Sequence, residues 1–407
     1  MASITALADS STGCRVNGPV GDENPKLYQL AADPAAYAND FNDITSGNND
    51  YTTSGYTGGL FKSTKGYDLA SGLGSPKAAT LIPALCTAVT RIQASNPVNE
   101  AVAVSAATYR DNGVPSAGLA QADAVVLTKD TSDSDALVGA ELAAVKHGPL
   151  LLTHAASLDT ATQNEIQRVL PIGGTVYVLG GTPSISANVV STLQGLDYKV
   201  VRIAGADQYA TAALVDQAIN PHPTDVLVAT GTDADDALVA SDAAGSTHGA
   251  SVVVLSNATS LPAASLAYLN SVAGSVKTAE GVGGDGYAAI SSGLKSGAVH
   301  WTGVTPREFV GSGAPETALW VAGSYYSLPT SAFLATTGDW ANAEAAAAAG
   351  GVLDAPLLWT PSTALNSDDA AFLGTEHNSG RLEQVLILGP TSSVSNGVEG
   401  ALRSALS

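Results

Sequence analysis

The sequence predicts an α/β protein: three tandem Rossmann-like βαβ modules with parallel sheets, preceded by a shorter segment of different character. Three observations predict it. Apolar runs of four to six residues alternate with longer stretches of helical period. The apolar runs lack polar alternation, as strands buried on both faces do. The pattern also recurs three times at a period of roughly a hundred residues.

The elements follow in order. The first copy opens with Asp123-Ala-Val-Val-Leu-Thr-Lys, the second with Asp225-Val-Leu-Val-Ala-Thr-Gly, the third with Ser331-Ala-Phe-Leu-Ala-Thr-Thr. Each run is followed by an Ala-rich helix, starting at Asp135, Asp236 and Asn342, whose small side chains allow close approach to a sheet. A second strand comes next, Gly148-Pro-Leu-Leu-Leu-Thr, Ser251-Val-Val-Val-Leu-Ser and Ala355-Pro-Leu-Leu-Trp-Thr. A second helix is expected near Asp159, Pro262 and Asn366, then a glycine-ended strand: Val176-Tyr-Val-Leu-Gly-Gly, the poorer Ala279-Glu-Gly-Val-Gly-Gly, and Val385-Leu-Ile-Leu-Gly-Pro. Strand–helix–strand alternation gives βαβ units with helices on both sheet faces.

Composition narrows the function. The chain has 407 residues, is 45% apolar and carries a formal charge of −20 with only 17 Lys and Arg. That charge repels nucleic acid, whose affinity rests on phosphate neutralisation, and disfavours anionic membranes. No apolar run reaches membrane-spanning length; Ala343 to Trp359 is broken by Glu344 and Asp354. Met1-Ala-Ser-Ile-Thr-Ala-Leu has no basic start, so no signal peptide is read there.

Between the first two copies lies Arg202-Ile-Ala-Gly-Ala-Asp-Gln-Tyr-Ala-Thr-Ala, with a weaker echo beginning at Arg307 before the third. This string, the Asp-Ala-Leu helix start and the Val-x-Gly-Gly strand end resemble the type 2 cell-wall-binding repeats of Gram-positive surface proteins. The resemblance divides the chain into repeats at 98–203, 204–306 and 307–407. It implies a pseudo-threefold arrangement and non-covalent binding of a cell-wall polysaccharide or secondary wall polymer, with an extracellular, wall-associated location. Candidate ligand contacts are Arg202, Asp207, Arg307, Asp135 and Asp236. An inter-module salt bridge is the alternative for Arg202 and Arg307, and helix capping the alternative for the aspartates.

Residues 1–90 have no βαβ rhythm and are rich in Gly, Asn, Asp, Ser, Thr and Tyr. Helices are expected at Ile4 to Ser10 and Lys77 to Ile92. Phe41-Asn-Asp-Ile-Thr-Ser-Gly and Thr64-Lys-Gly-Tyr-Asp-Leu-Ala-Ser-Gly-Leu-Gly-Ser-Pro resemble the C-terminal end of a sedolisin, a serine-carboxyl peptidase of subtilisin-like fold. The resemblance implies one Ca2+ held by the carboxylates of Asp43 and Asp68 and the carbonyls of Ile44, Thr64 and Gly66, a hard-oxygen set. Turn stabilisation by Asp43 and Asp68 is the alternative. The family's nucleophile lies just before a helix like Ala2-Ser-Ile-Thr-Ala-Leu-Ala. The resemblance therefore implies that the catalytic residues are absent from this chain, and that the missing N-terminal part of the peptidase domain would be a partner. Cys14 and Cys86 are a candidate disulfide, since a secreted chain keeps one.

Other motifs carry less. Gly281-Val-Gly-Gly-Asp-Gly fits a dinucleotide loop, but its counterparts Gly180-Gly-Thr-Pro and Gly389-Pro do not, and a turn common to the repeats explains all three. His147 and His248 share one repeat position, taken by Asp354 in the third copy, which suits a loop. The leading function is a wall anchor for a secreted sedolisin-type peptidase. The alternatives are a truncated calcium-dependent serine endopeptidase and a surface or S-layer-like structural protein.

Overall fold

The computed structural model describes residues 1–10, 20, 23–32, 37–38, 40–49, 61–85, 89–114, 119–131, 133–327, 329–378, 382 and 384–406. Cys14 and Cys86 lie outside the described residues. The chain divides into two compact units, one over Met1–Ala88 and one over Val89–Leu406.

The first unit holds helices α1 (Ala2–Ser10), α2 (Glu23–Ala32) and α3 (Ala78–Leu85), and a two-stranded antiparallel ribbon of β1 (Phe41–Asn42) and β2 (Ser75–Pro76). Its core is Ala8, Leu27, Phe41, Leu81 and Leu85.

The second unit contains three four-stranded sheets, all parallel. The first is built from β4 (Ala124–Lys129), β5 (Leu150–Thr153), β6 (Thr175–Leu179) and β7 (Lys199–Ile203) in the order β5-β4-β6-β7. The second uses β8 (Asp225–Thr230), β9 (Ser251–Ser256), β10 (Thr278–Val282) and β11 (Arg307–Phe309) in the order β9-β8-β10-β11. The third has β12 (Ser331–Thr336), β13 (Leu357–Thr360) and β14 (Gln384–Leu388), and takes its fourth strand from β3 (Val89–Ile92), ahead of the first repeat. The helix expected over Lys77 to Ile92 therefore ends within that span. Its last residues are a strand because Val89–Ile92 pairs with Val385–Leu388, a partner far too distant in sequence to read locally.

The third sheet is clamped shut. Arg91 donates to the Gly389 carbonyl (2.9 Å) and to Glu399, and the Gly389 N–H donates to Glu100 (2.9 Å), on helix α4 (Pro97–Thr108). Arg202 makes the matching contact on Gly180 in the first sheet. In the second sheet Phe309 lies opposite Val282, where Ile203 faces Leu179 and Ile92 faces Leu388. Glu308, not Arg307, thus stands in register with Arg202.

Each first strand leads into a helix buried around most of its circumference: α5 (Asp133–Val145), α9 (Ala234–Ser246) and α13 (Trp340–Leu353). Such helices belong at the centre of a core, and these three pack against one another. They meet where side chains are smallest. A Cβ added at Gly351 would lie 2.7 Å from Ala144 Cβ and 2.9 Å from the Gly245 carbonyl carbon. One turn further on, His147, His248 and Asp354 all take left-handed φ (50, 54 and 53°), and the two imidazoles stack 6.0 Å apart.

Central helices also tie neighbouring repeats. The Glu141 carboxylate accepts from the Val253 N–H (3.0 Å), and the Asp242 carboxylate from the Leu357 N–H (2.8 Å). The two acids hold the same repeat position, and each reaches the second strand of the following repeat. Burial pushes both well above the usual carboxylate range, as it does Asp216 beside Glu141.

Candidate functional site

Ligands of parallel α/β sheets bind beyond the carboxyl ends of the strands, where loops and helix starts converge. The three edges can be compared position by position, because Lys129, Thr230 and Thr336 pair with Thr153, Ser256 and Thr360.

The first edge is charged. His154 Nδ1 lies 2.5 Å from Asp130, and its Nε2 lies 3.7 Å from Asp159, so one imidazole spans the end of β4 and the start of the helix that follows β5. Asp159 also caps helix α6 (Thr160–Val169), accepting from the Ala161 N–H. The Asp135 side chain lies outside the described residues.

The second edge satisfies itself. Thr230 Oγ1 bonds Thr232 Oγ1 (2.8 Å) and accepts from the Ala258 N–H (3.1 Å). Here β10 runs straight into helix α11 (Gly283–Ser296), without the Thr-x-Ser loop that follows Gly180 and Gly389 in the other repeats. Asp236 folds over Gly283: a Cβ there would lie 1.7 Å from its carboxylate. Burial and the charges of Asp233, Asp235 and Asp285 push Asp236 up to about 7. The glycines of the 281–286 string serve packing. A Cβ at Gly281 would meet Tyr287, and one at Gly286 would meet the Val228 carbonyl, each at 2.2 Å.

The third edge is an open cleft of about 510 Å³ lined by Thr336, Thr337, Gly338, Asp339, Pro361, Ser362, Ser392 and Ser393. Its five hydroxyls make no hydrogen bond with the described residues. The floor is held from the second repeat: the Gly338 N–H donates to both Asp235 carboxylate oxygens (3.0 and 3.1 Å), and Trp359 Nε1 donates to the Asp235 carbonyl (3.1 Å). Asp339 accepts from Asn342 Nδ2 (2.8 Å).

The remaining candidates have internal partners. Arg202 donates to the carbonyls of Gly180 (2.5 Å) and Ile185 (2.7 Å), fixing the turn after β6. Arg307 pairs with Glu280 of its own sheet (3.3 Å), across the boundary between repeats 204–306 and 307–407, and lies over the Phe309 ring, whereas both partners of Arg202 lie in its own repeat. Asp207 caps helix α8 (Gln208–Ile219), accepting from Ala210 N–H. The cleft residues were not singled out from sequence. The available signal was Thr336-Thr337 standing where the first repeat has Lys129-Asp130.

In the first unit hydrogen bonds link the segments that carry the five expected calcium ligands, in two groups around Asp43 and Asp68. The Gly66 N–H donates to Asp43 (2.9 Å), the Thr64 N–H to Asp68 (2.9 Å), and Ser71 Oγ to the Ile44 carbonyl (3.5 Å). Backbone donors from Thr64, Ser71 and Ala70 hold Asp68 below its usual range. Two carboxylates and three carbonyls are a donor set of the calcium type, although the carboxylates already serve backbone N–H groups. Among the described residues no three acidic, histidine or cysteine side chains are grouped so as to hold a metal ion between them.

Comparison with known proteins bears on the second unit. A family model described as cell wall binding domain 2 (CWB2) matches residues 91–190, 202–293 and 309–399. The N-acetylmuramoyl-L-alanine amidase LytC of Bacillus subtilis (strain 168) is 31% identical over 131 residues, 32% of this chain and 24% of the amidase. Cwp8 from Clostridium difficile superposes with TM-score 0.66 at 21% identity, over 81% of this chain and 54% of that one. Cwp6 from the same organism gives 0.62 at 21% identity, over 79% and 48%. The chain thus spans about half the length of these two structures and a quarter of the amidase. No described helix is long and apolar enough to cross a membrane.

Proposed function

Since the chain belongs to the cell wall binding domain 2 family, we propose that residues 89–406 form a non-covalent wall-attachment module gripping a wall polymer at the carboxyl edges of its sheets. The observation that carries the reading is the repetition of one strand order, with matching register, in three sheets. The mutual packing of α5, α9 and α13, and the shared geometry of His147, His248 and Asp354, support an approximate threefold relation among the repeats. Several weak edges on one body raise effective concentration at a polymeric surface without a covalent link. Incubation of the full chain with purified walls tests this. Retention that a denaturant wash reverses is the expected result, and a chain recovered entirely in the supernatant ends the proposal.

For the first unit, the hydrogen bonds linking the segments that carry Asp43, Ile44, Thr64, Gly66 and Asp68 favour the calcium reading, and with it kinship to the tail of a sedolisin domain. On this reading the cargo held at the wall is a serine-type peptidase. Calcium would cross-brace the turns carrying Asp43 and Asp68. Isothermal titration of the chelator-treated chain with Ca2+ tests it: a one-site isotherm lost in Asp68→Asn is expected, and a flat titration removes the reading.

A further inference from the structure

The three edges are unequal, and their inequality assigns the ligand contact. Resting on the wall-attachment reading, we propose that the third repeat's cleft is the principal glycan subsite and that it takes an uncharged, hydroxyl-rich sugar residue.

Hydroxyl supply is the first argument. Thr336, Thr337, Ser362, Ser392 and Ser393 have no partner among the described residues, so each offers a donor and acceptors to a ligand. At the second edge the equivalent Thr230 hydroxyl is already used by Thr232 and Ala258. Its third-strand loop is missing, and Asp236 fills the space above Gly283. At the first edge the equivalent positions are Lys129 and Asp130, and His154 closes the strand ends by pairing with Asp130. A polyol meeting that edge must break the Asp130–His154 hydrogen bond, whereas at the third edge it displaces only water.

Charge is the second. The cleft lining contains no Lys, Arg or His, and its one ionisable group is the Asp339 carboxylate. Phosphate and carboxylate ligands are normally met by cations with bidentate or point-charge geometry, so an anionic polymer has no counterpart here. The whole chain, at −20, adds a repulsive field. Preorganisation is the third. Two hydrogen bonds from Gly338 to Asp235 hold the cleft floor before any ligand arrives, which lowers the ordering cost of binding.

The test uses the full chain and purified walls. Thr337→Trp and Ser392→Trp fill the third cleft at exposed positions. Pro183→Trp and Thr232→Trp place the same bulk on the first and second edges, and circular dichroism verifies that all four fold. Loss of two or three hydroxyl contacts predicts about a tenfold or greater fall in wall affinity for the third-edge variants, with the others within about twofold. Inorganic phosphate should not compete, and affinity should change little with added salt. Wild-type retention with all four variants alike overturns the assignment to the third edge while leaving wall attachment standing. Competition by phosphate, or a steep loss with salt, overturns the ligand class. A wild-type chain that is not retained removes the underlying wall-attachment reading and this inference together.

Discussion

Gly351→Ala tests the packing on which the three-repeat unit depends. The new Cβ would sit 2.7 Å from Ala144 Cβ, 2.9 Å from the Gly245 carbonyl carbon and 3.0 Å from Gly245 Cα. Carbon atoms pack at about 3.5–4.0 Å. Three contacts therefore fall short by roughly 0.5–1 Å, and two of the obstructing atoms are backbone that cannot rotate away. Overpacking of this kind costs about 1–3 kcal/mol. Alanine regains about 1 kcal/mol of helix propensity over glycine, so the net effect is a loss of up to about 2 kcal/mol. Gly400→Ala, in helix α15 (Asn396–Ala405), supplies the control. Nothing lies within 4 Å of its added Cβ, and the residue is exposed. There the same substitution should stabilise by about 0.5–1 kcal/mol. Urea unfolding followed by far-ultraviolet circular dichroism measures both. The two midpoints should move in opposite directions or differ by at least about 1 kcal/mol. Equal shifts of the same sign would refute close approach of α5, α9 and α13 at Ala144, Gly245 and Gly351.

Three further predictions follow the same lines. Burial and the neighbouring Asp368 charge push Asp369, in helix α14 (Ser367–Asn378), up to about 8. Because this pKa is raised on folding, its contribution is complete below about pH 4 and disappears as pH rises through about 8, at up to 1.4 kcal/mol per unit. Thr162 and Ser265 occupy its repeat position and donate to Leu152 and Leu255 carbonyls. Asp369→Thr should therefore flatten that slope, and unchanged pH dependence of unfolding would count against the assignment. Asp242→Asn keeps an oxygen for the Leu357 N–H and cannot ionise. It should match wild type near pH 5 and exceed it in stability near pH 9, and the reverse order in melts at the two pH values contradicts a neutral Asp242. Asp235→Ala frees the Gly338 N–H while leaving the backbone carbonyl that Trp359 Nε1 uses, and should lower wall affinity several-fold with a stability loss of about 1–2 kcal/mol; unaltered affinity in a pull-down argues against a preorganised cleft.

Much of the repeat architecture was legible because its signals are local. The runs at Asp123, Asp225 and Ser331 became first strands, and the helices expected near Asp159, Pro262 and Asn366 begin there. The fourth strand of the third sheet was not legible. Val89–Ile92 is four residues long and gains strand character only from β14, nearly three hundred positions away. The register of Arg307 was hidden for a related reason: α12 (Ala314–Tyr325) follows Phe309 at the same spacing as α8 follows Ile203, so Glu308 holds the Arg202 position, and chemical similarity of Arg307 to Arg202 misaligned the echo by one residue. Glu141 and Asp242 could have been found, since each is an acid in an otherwise apolar stretch at the same repeat position. The cleft could not, because whether a strand-end threonine is free or already bonded depends on loops, as Thr230 and Thr336 show.

Wall polymer recognition is the claim on which the functional account turns. Binding isotherms of the full chain on intact walls and on walls stripped of their non-peptidoglycan carbohydrate test it most directly. The account predicts saturable binding that falls with the carbohydrate removed and returns when the extracted polymer is supplied in solution as competitor. Equal binding to stripped and intact walls, with no competition, would contradict it.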